Sequence, residues 1–115
     1  MKKRILLFGL IICLLFFLTC TDNRPIGTFV VQPEYYPQIT FTITDDGKVK
    51  FEQGRNIDYG SIGNYRDGYC IDFKYAPETG LGGGSYLFIK DGYIYGDVDD
   101  FIAEHPTRRL EFKKR

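Results

Sequence analysis

A few side chains in this sequence have types and spacing that could support chemistry at an acidic site. Asp97, Asp99 and Asp100, with Glu104 nearby, place four carboxylates within a short stretch. Calcium takes six or more oxygen ligands, and the downstream glycine and glutamate of an EF-hand loop are missing here. We therefore expect a solvated acidic turn that begins a helix, where negative charge is favourable. The one histidine, His105, is expected to cap or pack, because zinc rarely relies on a single imidazole among carboxylates.

Nucleophilic catalysis is not indicated. Cys70 lies in the strand-like stretch 69–73, and a buried, inert thiol is the simplest interpretation. A catalytic thiol or hydroxyl needs a base beside it, and no such pair stands out. The glycine-rich stretch 80–85 lacks the lysine of a phosphate-binding loop and precedes a strand instead of a helix. We predict that the protein is not an enzyme, and we assign no catalytic, cofactor or metal residues.

The segment before Cys20 has the three parts of a secretory signal. Lys2, Lys3 and Arg4 give it a positive start, and residues 5–18 form an almost unbroken apolar run. A membrane-spanning helix needs roughly twenty apolar residues, so this run is better suited to a signal peptide. Polar residues follow Cys20 at once. The pattern predicts that the folded part lies outside the cytoplasm.

The stretch Leu18-Thr19-Cys20 resembles the lipobox of bacterial lipoproteins, in which diacylglycerol is attached to the cysteine thiol before cleavage. Phe17 and Thr19 stand where leucine and a small residue are usual. The resemblance implies a signal peptide over residues 1–19, lipidation at Cys20, and a tether over residues 20–25. It also implies a lipid-anchored location in the cell envelope, which we expect to be the outer membrane. An uncleaved anchor and a different processing route are the alternatives.

Composition limits what the remaining 96 residues can do. The chain carries fifteen basic and fifteen acidic residues, and removal of the signal leaves twelve against fifteen, a net charge of −3. A mildly acidic domain is a poor nucleic-acid binder, so we predict no nucleic-acid partner. All nine tyrosines and seven of the ten phenylalanines follow Cys20. Large rings supply much buried area in a small domain.

The alternation of side chains is clearest over residues 38–52. Ile39, Phe41 and Ile43 alternate with threonines, which is typical of a strand with one buried face. A three-residue loop with Gly47 in a left-handed conformation would pair Ile43 with Val49. A two-residue turn would mix the faces. The sequence therefore predicts a bulged hairpin.

Further short strands follow, separated by turns at residues 66–68 and 91–92 and by a glycine-rich loop. The strands predicted over Ser85–Lys90 and Tyr93–Val98 are apolar on both faces, so we expect another element to cover their second face. One helical turn is expected over residues 99–105. About eight strands with almost no helix predict an all-β domain over residues 26–115, an antiparallel meander closed into a barrel.

The layout resembles that of lipocalins and their relatives in the calycin group. Those proteins carry Gly-x-Trp on strand one, with a basic residue from the chain's end packed over the ring. Here Gly27-Thr28-Phe29 opens the first strand and Arg108-Arg109 opens the last. The resemblance implies a lipocalin-like barrel that carries a small apolar molecule. Another small β-meander is the alternative fold.

We therefore expect the barrel to bind a small apolar ligand. The alternative is an interaction or inhibitor protein that docks on an envelope partner through its aromatic loop at 35–36 and its glycine-rich loop at 80–84. Tyrosine suits either role, because it joins a large rigid face to a hydrogen-bonding tip. The predicted ligand or partner contacts are Tyr35, Tyr36, Tyr86, Phe88 and Tyr95.

Overall fold

One antiparallel sheet of nine strands makes up most of the computed structural model, which describes residues 24–82 and 84–115. The strands are β1 (Gly27–Val31), β2 (Ile39–Ile43), β3 (Lys48–Gln53), β4 (Asn56–Tyr65), β5 (Gly68–Phe73), β6 (Tyr86–Lys90), β7 (Tyr93–Tyr95), β8 (Leu110–Glu111) and β9 (Lys113–Lys114). A short helix, α1 (Val98–Ala103), lies between β7 and β8. The predicted all-β meander is confirmed. The predicted signal segment and Cys20 lie outside the described residues.

The end of the chain nearly closes the sheet into a barrel. Strand β8 pairs with β7, while β9 pairs with β1 at the opposite edge of the sheet. Only Phe112 separates β8 from β9, so one extended segment reaches both edges. The backbone N–H of Phe112 donates to the Gly92 carbonyl oxygen at 2.9 Å. The last strand, predicted over residues 107–112, is instead the two short strands β8 and β9 on either side of Phe112, which brings the expected eight to nine.

The predicted hairpin between β2 and β3 is confirmed in its register. Ile43 lies opposite Val49, and Phe41 lies opposite Phe51. Gly47 has a φ of +84°, the left-handed conformation that the three-residue loop requires. The loop is closed by a 3.0 Å hydrogen bond from the Thr44 N–H to the Lys48 carbonyl oxygen. The left-handed glycine in the turn and the apolar alternation of the two strands therefore favour the same register.

Gly47→Val is expected to lower the free energy of unfolding by more than about 1 kcal/mol, because a β-branched residue is strained at a positive φ. Urea denaturation of the purified chain measures the difference. Gly84→Val is the matched control, since Gly84 has no positive φ and no atom lies within 4 Å of an added Cβ. Equal stability of the two variants would contradict the strain at Gly47.

The barrel interior holds the main hydrophobic core. It comprises the inward side chains of the strands together with Phe112, namely Phe29, Val31, Ile39, Phe41, Ile43, Val49, Phe51, Ile62, Ile71, Phe73, Leu87, Ile89, Ile94 and Phe112. Because successive side chains of a strand point to opposite faces, every second residue points into the barrel. Strand β4 was only weakly patterned in sequence, yet it is the longest strand, at ten residues.

A second, smaller core lies outside the barrel, beneath α1. Phe101 of the helix packs against Phe88 and Tyr95, with ring centroids 5.5 and 5.9 Å away. This confirms that another element covers the second face of β6. The helix begins one residue earlier than predicted, because Asp97 caps it by accepting a hydrogen bond from the Asp99 N–H at 2.7 Å.

The ring of Phe29 has a different partner from the one that the lipocalin layout implied. Phe112 stacks on it, with centroids 4.5 Å apart and planes 10° from parallel. Arg109 instead lies over Tyr93, 3.7 Å from the ring centroid, and Arg108 pairs with Asp100. An aromatic ring can enter the dry interior without the cost of burying a charge, which explains why Phe112 takes this place.

Candidate functional site

The two ends of the barrel differ in the connections they carry. Because neighbouring strands run antiparallel, successive connections alternate between the ends. Tight turns at residues 44–48, 66–67 and 91–92 form what we call the hairpin end. Longer segments at residues 32–38 and 74–85, together with the β3–β4 turn, form what we call the loop end. The two segments that were predicted from the sequence to contact a partner, residues 35–36 and 80–84, both belong to the loop end.

Gln53 joins the loop-end segments to each other. Its side chain is only 4% exposed. The amide nitrogen donates to the carbonyl oxygens of Pro37 and Glu78 at 2.9 and 2.7 Å, and the amide oxygen accepts from the Glu78 N–H at 2.8 Å. One buried amide therefore fixes the backbone of both loops. A buried polar group bonded in this way rigidifies its surroundings.

The glycine-rich segment also contacts the aromatic one directly. Gly80 has a φ of +77°, and a Cβ placed there would lie 3.4 Å from the ring of Tyr36. Farther along, the Leu81 carbonyl oxygen accepts a hydrogen bond from Arg108 at 3.3 Å. Arg108 in turn bonds Asp100 at 2.9 Å. The loop thus lies beside the Tyr36 ring on one side and is held to the helix through Arg108 on the other.

Four of the five exposed tyrosines among the described residues lie on and around this end, whereas the fifth, Tyr59, lies beside the hairpin-end turn at residues 44–48. Tyr35 is 82% exposed and Tyr75 is 68% exposed, while Tyr36 and Tyr86 are 39% and 50% exposed. Tyr86 begins β6 directly after the glycine-rich loop. Three of the five predicted contact residues, Tyr35, Tyr36 and Tyr86, are therefore brought together at the loop end with their rings accessible.

The other two predicted contacts lie elsewhere. Phe88 and Tyr95 belong to the small core beneath α1, at 9% and 1% exposure. Cys70 packs against the same cluster, and burial raises the pKa of its thiol, so the thiolate is disfavoured. This environment is consistent with a packing role for Cys70. The prediction that Phe88 and Tyr95 contact a ligand or partner stays untested.

A cleft opens at the loop end, where β4 loses one of its neighbours. Residues 56–59 pair with β3, but the pairing of β4 with β5 begins only at Gly60. The Asp58 carboxylate occupies the gap by accepting the N–H groups of Tyr59 and Tyr75 at 2.8 and 3.1 Å. The cleft measures about 510 Å³ and has Arg55 and Glu78 among its lining residues. The cleft is lined by the backbone edge of β4, by the charged residues just named and by the exposed ring of Tyr75.

The barrel interior is filled by its own rings. The Phe73 centroid lies 5.1 Å from that of Phe51 and 6.3 Å from that of Phe41. Phe112 adds a contact of 5.7 Å to Phe41. Rings at these separations are in packing contact. The rings of β2, β3, β5 and the last segment thus pack against one another inside the barrel, where lipocalin-like proteins would hold a ligand.

Metal-ligating groups do not converge within residues 24–82 and 84–115, where no cluster of three or more His, Cys, Asp or Glu side chains has suitable geometry. Asp97 instead caps the helix. The Nδ1 atom of His105 lies 3.3 Å from the N–H of Thr107 and closes a local turn after the helix. The acidic stretch and the histidine therefore have structural roles at the two ends of α1.

Sequence reasoning missed Gln53 and Asp58. Gln53 carried a usable signal, because it follows Val49 and Phe51 at the next inward position of β3. A polar residue at such a position must find partners when it is buried. Asp58 gave no comparable signal, since its contact with Tyr75 depends on where the chain leaves β5. A polar residue in an apolar alternation is the feature to look for.

Among the residues that the structure describes, no helix is long and apolar enough to cross a membrane. The chain was also compared with protein-family models, with curated proteins and with solved structures. None of the three comparisons gave a match.

Proposed function

We propose that the protein is a lipid-anchored cell-envelope protein that binds a protein partner through the loop end of its barrel. The observation that carries the proposal is that Gln53 joins the segments 32–38 and 74–85, on which Tyr35 and Tyr75 are exposed. The anchor is Cys20 and the location is the outer membrane, as the signal-like segment before that cysteine suggests.

A protein partner fits the geometry better than a small apolar ligand. A carrier of the lipocalin type needs free volume inside the barrel, and here Phe41, Phe73 and Phe112 fill it. The binding of an apolar ligand remains the second candidate. It would require these rings to change rotamers together, which close packing resists.

The loop end has the physical properties of a recognition surface. Tyrosine rings offer large contact area with few rotatable bonds, so little conformational entropy is lost on binding. The hydrogen bonds of Gln53 hold the loops before a partner arrives, which reduces that loss further. Residues 56–59 of β4 have β3 but not β5 beside them, and an extended segment of a partner could pair with their free edge beyond the Tyr59 N–H, which Asp58 accepts.

Photo-crosslinking in intact cells tests the partner proposal. A crosslinking amino acid at Tyr35 is expected to give one discrete product with an envelope protein. The same group at Lys48, an exposed residue at the hairpin end, is the matched control. Gln53→Ala should reduce the product, because it frees both loops. A product that forms equally from both positions would count against the loop end.

Titration with a fluorescent fatty acid tests the second candidate function, the binding of a small apolar ligand inside the barrel. The filled interior predicts no saturable binding to the purified full-length chain. Saturable binding that shifts the aromatic resonances of Phe41 and Phe112 would make the small-ligand function the better account. Binding that leaves those resonances unchanged would place the probe on the surface.

Cys20→Ser is expected to abolish fatty-acid labelling and to leave the unprocessed precursor. Two or three acyl chains would hold the protein firmly, because each buried methylene contributes about 0.8 kcal/mol and a single chain binds only marginally. Metabolic labelling and membrane fractionation measure the effect. Cys70→Ser is the matched control and should label like the parent chain. A serine variant at position 20 that matures to normal size would contradict the anchor.

A further inference from the structure

The start of the described chain lies at the hairpin end. Gly27 pairs with Ile43, the last residue of β2 before the tight turn. Upstream of it, the Arg24 guanidinium donates to the Asp45 carbonyl oxygen in that turn at 2.8 Å. The chain therefore enters the barrel beside this turn, at the end opposite to the exposed tyrosines of the loop end.

Only three residues separate Cys20 from Arg24. Even a fully extended chain rises at most about 3.6 Å per residue, so the two residues are no more than roughly 14 Å apart. Strand β4 runs from the loop end to the hairpin end over ten residues, and at about 3.3 Å per residue it spans about 30 Å, roughly twice the reach of the tether. A tether of that length cannot run along the outside of the barrel and reach the loop end.

We infer that the hairpin end is the membrane-facing surface of the protein and that its partner there is the lipid headgroup layer. The inference rests on the proposed lipid anchor at Cys20. The hairpin end exposes Asp45, Asp46, Asp67 and Asp91 together with Lys48, Arg66 and Lys114. Both signs of charge are present, which suits a headgroup layer of phosphates and amines. The loop end then points away from the bilayer, so its partner must be reached from the aqueous side.

The test measures how strongly a quencher in the bilayer reduces the emission of a fluorophore attached at each end of the barrel. The full-length acylated protein is reconstituted in phosphatidylethanolamine–phosphatidylglycerol vesicles that contain a headgroup-labelled nitroxide lipid. Single reporter positions are made by Lys48→Cys and by Tyr35→Cys, each in a Cys70→Ser background. Both parent side chains are exposed, and neither of the two makes an ion pair that the structure describes.

We expect the fluorophore at position 48 to lose most of its emission to the nitroxide and the one at position 35 to lose little. Equal quenching, or stronger quenching at position 35, would overturn the orientation. The mass of the same sample reports acylation independently. An unacylated mature chain would overturn the lipid anchor itself, whereas an acylated chain with equal quenching would overturn the orientation alone.

Discussion

Phe112→Ala is expected to lower the free energy of unfolding by about 3–5 kcal/mol, the usual cost of emptying a buried phenylalanine site. The ring stacks on Phe29 and contacts Phe41, so its loss leaves a cavity between the first strands and the last. The residue also sits at the split between β8 and β9, which pair with opposite edges of the sheet. The same substitution therefore leaves a cavity in the core and weakens the segment that closes the barrel.

Urea denaturation of the purified chain measures the loss. Tyr86→Ala serves as the control, because it removes a similar ring from a half-exposed strand position and should change stability by about 0.5 kcal/mol or less. Hydrogen exchange should also rise at β1 and β7, the two strands that the last segment joins. A Phe112→Ala variant as stable as the control would show that the last segment does not hold the barrel together.

Gly60→Ala is expected to cost about 1–3 kcal/mol, as overpacking of a tight site does. An added Cβ would lie 2.3 Å from the Asp72 carbonyl oxygen and 2.6 Å from the ring of Phe73. The first of these atoms belongs to the backbone of the neighbouring strand and cannot rotate away. Strands β4 and β5 would have to separate at this point.

Gly63→Ala is the matched control, since it makes the same change in the same strand. No atom lies within 4 Å of an added Cβ at Gly63, and neither glycine has a positive φ. This variant should therefore be neutral, or more stable by up to about 1 kcal/mol through the lower entropy of its unfolded chain. Comparable melting of the two variants would refute the close approach at Gly60.

Much of the fold was predictable because its signals are local. Alternation in β2 and the three-residue loop at Gly47 determine the register of the first hairpin. Strand β4 was harder to predict, because its glycines and exposed residues dilute the alternation while two neighbouring strands impose the extended form. The split of the last strand at Phe112 depends on contacts distant in sequence, which no local pattern encodes.

The candidate site was predictable only in part. The sequence identified both loops, since prolines and glycines mark them. Their joining depends on Gln53, and its partners Pro37 and Glu78 come from segments far apart in the chain. Tyr35 and Tyr86 proved exposed, whereas Tyr95 lies beneath α1. Exposure of a strand tyrosine depends on which element covers the outer face, and that is a tertiary property.

The split last strand also bears on the order of folding. Its pairing with β1 joins residues from opposite ends of the domain, so it requires closure of nearly the whole chain as one loop. Contacts of such separation form late, because the entropy of loop closure must be met before they contribute. In a chain that becomes available for folding from its N-terminus, as during synthesis, the sheet would stay open until residues 110–114 arrive. Arrival of that last strand would then be the step that closes the barrel.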